Sequence, residues 1–129
     1  MKTYTHYSDP SHGWIAATQD DLKSVGININ MLSPYSYQYG TTIYLEEDCD
    51  AGLFLAALEA AGVQFKVVSK HTNQEHIIRD FPRLDVAQRD MRQWQSNVNK
   101  LYDIISLRKS NKHDEANAMM NQFISNNAE

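Results

Sequence analysis

Cysteine is nearly absent from this chain: Cys49 stands alone in 129 residues. No internal disulfide can form, so stability rests on the packed core, and a reducing compartment is the natural setting. No apolar run approaches the roughly 20 residues of a membrane span, and no apolar leader opens the sequence. Both gaps predict a cytoplasmic protein that makes no use of a membrane. A basic excess is missing as well. Twelve Lys/Arg stand against sixteen Asp/Glu, a net charge of −4, which argues against a general nucleic-acid binder. Arg83, Arg89, Arg92, Lys100 and Arg108 do not fall on one clean helix face. A phosphate-binding glycine loop, a nucleophile elbow and a zinc-ligand spacing are all lacking. The sequence therefore predicts no catalytic residue, no cofactor and no resident metal, and a binding protein rather than an enzyme.

What is present is an ordinary globular composition, 42% apolar and 22% charged, enough for one domain with a real core. The first eighty residues carry five Lys/Arg and ten Asp/Glu, and the remainder seven and six, so acidity is concentrated early. The densest signals lie in 35–50, YSYQYGTTIYLEEDCD. Tyr35, Tyr37 and Tyr39 alternate with polar residues, which puts three rings on one face of a strand. Gly40 supplies a turn. Residues 41–46 read as the second strand of a hairpin, with Ile43 and Leu45 on one face and Thr42, Tyr44 and Glu46 on the other. The period then changes: Asp48 or Asp50 is a good N-cap, and Phe54, Ala57, Leu58 and Ala61 follow helical spacing up to the stop at Gly62.

Before this stretch, 1–7 reads as a short strand and Ser8-Asp9-Pro10-Ser11 as a turn, with a buried strand at 15–17. Thr18 and Asp21 form a capping box opening a two-turn helix that Gly26 closes. After it, 64–69 is a strand and 70–80 a polar arm holding His71 and His76. From Pro82 onward Leu84, Ala87, Met91, Trp94, Val98, Leu101 and Ile105 repeat at 3 and 4 residues, the strongest periodic signal in the chain. A second helix covers 114–125. The expected architecture is α+β: a small, mainly antiparallel sheet with two packed helices over 1–80, then a helical hairpin over 81–129 that packs back or forms a dimer interface. A ferredoxin-like β-α-β-β-α-β order fits the run of elements.

Four segments together, Asp9-Pro10-Ser11-His12-Gly13-Trp14, the helix end at 22–27, Ser33-Pro34-Tyr35-Ser36-Tyr37, and Tyr44-Leu45-Glu46-Glu47-Asp48-Cys49-Asp50, resemble a family of small proteins carried by phages and other bacterial mobile elements. The resemblance covers residues 1–79. It implies a bacterial or phage cytosolic setting and no particular activity; small mobile-element proteins are often accessory factors that bind host or defence proteins, and that role is the expectation here.

Two functional expectations follow. The first is protein–protein binding through the tyrosine face and the acidic junction, using Tyr35, Tyr37, Tyr44, Glu46, Glu47 and Asp50, with Met91, Trp94, Val98, Leu101 and Ile105 as the surface for a homodimer. The second is a small-ligand or nucleotide site, with a small enzyme as the alternative form of it, built from His12, Trp14, Tyr35, Tyr37 and Glu46, which requires those side chains to converge on one concavity. Cys49 reads as a buried or helix-start thiol, because the neighbouring carboxylates oppose a thiolate.

Overall fold

Alternating apolar residues at the start of the chain build strands, not a helix. β1 (Lys2–Ser8) turns through 9–12 into β2 (Gly13–Thr18), and the two pair as an antiparallel hairpin. The capping box forms as expected: the Thr18 hydroxyl accepts the Asp21 N–H and the Asp21 carboxylate accepts the Thr18 N–H, opening α1 (Gln19–Ser24). Gly26, at φ +80°, ends it where a Cβ would strike the ring of Phe123. After a 3₁₀ turn at Ile29–Met31 come β3 (Tyr37–Tyr39), β4 (Thr42–Glu46), α2 (Asp50–Ala60) and β5 (Phe65–His71). A second 3₁₀ turn at Ile77–Asp80 precedes α3 (Met91–Lys109) and α4 (His113–Asn126). The structure, a computed structural model, describes residues 1–88 and 90–128, so Arg89 of the basic set lies outside the described residues. Among the described residues no helix is long and apolar enough to cross a membrane.

The sheet has five strands in the order β3-β4-β2-β1-β5, antiparallel except where β5 runs parallel to β1. The architecture is thus α+β with a mostly antiparallel sheet and a C-terminal helical pair. The ferredoxin-like arrangement does not form, because β1 and β2 are joined by a tight turn and leave no room for a crossover helix between them.

One face of the sheet carries Tyr4, Ile15, Ala17, Ile43 and Leu45 against α2. Eight of the eleven residues of α2 are buried, too many for a helix with one apolar face. The reason is a second layer. Leu101 and Ile104 of α3 and Met120 and Phe123 of α4 belong to the same core, so α2 is covered by the helical hairpin as well as by the sheet. Arg108 fastens the hairpin down, donating from Nε to the Ala60 carbonyl at the C-terminus of α2, where an orphan acceptor and the negative end of the helix dipole both favour a cation.

The apolar stripe of the C-terminal region is real from Trp94 onward but begins later than its period suggests. α3 starts at Met91, with the Asp90 carboxylate accepting the N–H groups of Arg92 and Gln93. Leu84 and Ala87 precede it, and Leu84 is buried as part of the arm. Of the five residues expected at a dimer interface, Val98, Leu101 and Ile105 are buried within the chain and Trp94 is half-buried, while Met91 is exposed. Three of the five thus have no surface to offer a second copy.

The opposite face of the sheet is covered over part of its area only. The 72–84 arm crosses it, and Ile78 and Phe81 pack on Trp14, Tyr37, Tyr7 and Tyr44. Tyr35 departs from the expected ring ladder: β3 begins at Tyr37, and Tyr35 stands in the preceding loop, 51% exposed.

Candidate functional site

Where the arm meets the ends of β2, β3 and β4, the surface dips into a cleft of about 310 Å³. Its lining is His12, Trp14, Tyr35, Tyr37, Glu46, Asp48, Cys49, Arg79 and Arg83. All five residues expected to converge for a ligand site are here. Trp14 is 2% exposed and forms part of the floor. Tyr37 packs edge-on against it, with ring centroids 6.2 Å apart. Tyr35 supplies the one ring of the three that is largely open to solvent.

Two buried carboxylates hold the walls. Asp9 accepts the backbone N–H groups of Ser11, His12 and His76, and takes both Nε and Nη2 of Arg79, at 2.6 and 2.9 Å. The Arg79 pair, reinforced by the N–H groups of His76, His12 and Ser11, holds the Asp9 carboxyl well below the usual carboxylate range, against the opposing effect of burial. The arm is thereby tied to the β1–β2 turn, and the Arg79 guanidinium comes to rest 5.5 Å from the centre of the Trp14 ring. Arg83 lies 5.1 Å over Tyr37 in the same way.

Asp50 holds the other wall, and here an expectation is corrected. The sequence offers it as an N-cap of α2 and as a contact for a partner. The N-cap position belongs to Cys49, with no side-chain cap bond, and Asp50 is wholly buried, out of reach of any partner. Its oxygens accept the Ser33 N–H and the hydroxyls of Ser33 and Ser36. Those hydroxyls accept in turn from the backbone N–H groups of Tyr35 and Glu46. A single carboxylate thus fixes the backbone at two lining residues, and the spacing of Ser33, Ser36 and Asp50 in the sequence acquires a physical reason.

Glu46 sits in a less favourable position. Burial pushes its carboxyl up, and the charges of Asp48 and Asp50 push the same way, against the Asp48 backbone N–H that it accepts. One donor atom each from His12, Glu46 and Asp48 lie within 4.8 Å of one another. One imidazole nitrogen and two carboxylate oxygens at that spacing are a set that a single divalent cation could share. The cleft therefore offers acceptors from His12, Glu46 and Asp48, donors from Arg79 and Arg83, and an exposed ring.

Tyr44, Glu47 and Asp50 are not brought to it. Tyr44 packs on Phe81 and Tyr7 under the arm. Glu47 turns to His6, with Oε2 3.0 Å from Nε2. A Cβ at Gly13 would meet that carboxylate and ring, so a larger residue there would displace the pair. Asp48, Cys49, Arg79 and Arg83 complete the lining without being among the five residues expected to converge; the first two read from the sequence as helix-start residues, and the two arginines carry no site signal in it. Arg79 had no periodic context, and its partner lies 70 residues away.

Fold and site define a class: a small α+β protein with a ligand-sized cleft at the end of an antiparallel sheet. The chain matches no family model, no curated protein and no solved structure.

Proposed function

We propose that this is a small-ligand-binding protein whose cleft takes a planar heteroaromatic molecule bearing an anionic group, of the mononucleotide class. The observation that carries the reading is convergence: His12, Trp14, Tyr35, Tyr37 and Glu46 line one cleft together with two arginines. A heteroaromatic ring finds the exposed Tyr35 ring to stack on. Its N–H donors find Glu46 and Asp48, and a phosphate finds Arg83, while the charge of Arg79 is largely answered by Asp9. At about 310 Å³ the cleft is at the small end of ligand sites, which suits a mononucleotide rather than a dinucleotide. A ligand of that size, at about 0.3 kcal/mol per heavy atom, reaches a Kd of about 10 µM at best. The test is an NMR titration with GMP, AMP, guanosine and ribose 5-phosphate. Amide shifts at Tyr35 and Glu46 are expected with a nucleotide and weaker ones with guanosine or ribose 5-phosphate. No response to any of the four sinks the proposal.

A second reading, the protein-binding accessory factor of a phage or mobile element, is favoured by the exposure of two tyrosines, Tyr35 at 51% and Tyr39 at 64%. Tyr39→Ala with Glu47→Lys removes an exposed ring and reverses a charge of the acidic junction without touching the cleft lining. Loss of a host protein captured by the wild type, with nucleotide shifts intact, would favour this reading over the first.

A further inference from the structure

The two edges of the sheet are finished differently. At one edge β3 is three residues long, and the chain folds back over it: Gln38 donates to the Pro82 carbonyl, Leu84 donates to the Ser36 carbonyl, and Tyr37 bridges Arg83. At the other edge β5 is seven residues long and pairs only with β1, in unbroken register from Lys2↔Phe65 to Ser8↔His71. The Gln64 carbonyl accepts from Lys2, and the Thr72 N–H donates to Ser8. Even-numbered residues of this strand therefore turn their backbone groups toward β1. Phe65, Val67, Ser69 and His71 turn theirs outward, and among the described residues no strand meets them. β5 has no proline and no bulge, and it is not short, so the usual devices that blunt an edge are missing apart from its lysines. Val67 and Val68 are 40% and 41% exposed.

The occupant follows from charge. Lys66 and Lys70 are both exposed and share a face with Val68, in a chain whose net charge is −4. A second copy paired symmetrically about Val68 would set Lys66 of one chain opposite Lys70 of the other, and like charges directly opposite are destabilising. We propose that β5 is a docking edge for an extended acidic segment of another protein. That segment adds as a sixth strand, with two carboxylates four residues apart meeting Lys66 and Lys70 and a β-branched residue over Val68. This surface is separate from the cleft and stands whether or not the cleft binds a nucleotide.

The probe is a blocked heptapeptide, Val-Glu-Val-Thr-Val-Glu-Val, compared with its counterpart carrying Lys in place of Glu. With the Glu peptide, amide shifts and slowed hydrogen exchange are expected at Val67 and Ser69. The Lys66→Glu/Lys70→Glu variant should bind it at least tenfold more weakly and accept the Lys peptide instead. Absence of protection at Val67 and Ser69, or equal binding of both peptides by the wild type, overturns the proposal. So does a concentration-dependent dimer whose interface protects the same amides, which would assign the edge to a second copy.

Discussion

One wall of the cleft, the 72–84 arm, hangs on Asp9; the other, the loop at 33–36, hangs on Asp50. Both carboxylates are buried and accept several hydrogen bonds, and among the described residues the donors differ in kind. Asp50 is met by two hydroxyls and a backbone N–H from residues 14 and 17 positions away. Asp9 is met by a guanidinium 70 positions away as well as by local N–H groups. The Ser33 and Ser36 bonds to Asp50 are drawn from one neighbourhood of the chain and can form when the β4–α2 junction forms. The Arg79 pair closes a long loop and depends on ionisation of Asp9. The tyrosine wall thus belongs to the scaffold, while the arginine wall is an attachment with its own, separately breakable, anchor.

Removing each anchor in turn breaks that comparison, and Asp50→Ala has the larger effect. It strands two buried hydroxyls and an N–H, a loss of about 3 kcal/mol or more. The expected result is a large drop in the denaturant midpoint of the whole chain. Asn, which keeps one acceptor, should recover part of it. A loss below 1 kcal/mol for Asp50→Ala would show that water takes over the pinning.

At the Asp9 wall the effect is smaller and local. Asp9 has a depressed pKa when folded, so its contribution is fully present above the ordinary aspartate value of about 3.9 and is lost as pH falls below it. In a Trp94→Phe background, acidification should shift Trp14 emission to the red before the far-UV signal of the helices changes. Arg79→Ala should produce the same local opening at neutral pH. Trp14 emission that stays constant until the helices unfold would mean that Ile78 and Phe81, not the ion pair, hold the arm.

The difference between the walls also explains what was legible in the sequence. Hairpin, helix and capping box around the tyrosine wall are written in short-range signals: period 2 at Ile43 and Leu45, Gly40 at φ +62°, Thr18 with Asp21. The role of Asp50 was not, because a side chain that caps a helix and one that turns inward to two serines share the same sequence position. Burial of α2 on both sides was hidden too, since it depends on the docking of α3. The arm was opaque for another reason. Its residues 72–84 have no period, and their placement is fixed by Arg79 and Ile78 against residues far back in the chain. Five lining residues could be read from types and neighbours, Asp48 and Cys49 were legible only as helix-start residues, and Arg79 and Arg83 could only be seen in the fold.

Glu46→Gln sharpens the comparison with the smallest expected change in stability. The folded state holds the Glu46 proton more tightly than the unfolded one, so above the ordinary glutamate range its charge opposes folding, and increasingly so up to the raised value. Gln removes that opposition and keeps an oxygen for the Asp48 N–H. At neutral pH the melting temperature should rise on the order of 2 °C, while nucleotide-induced shifts at Tyr35 weaken. A residue whose replacement stabilises the fold and weakens binding is held for the site rather than for the scaffold. Asp50, one helix start away, should behave in the opposite sense, with stability lost first. If Glu46→Gln instead destabilises the chain and leaves binding intact, Glu46 belongs with Asp50 among the pins, and the cleft loses its principal acceptor.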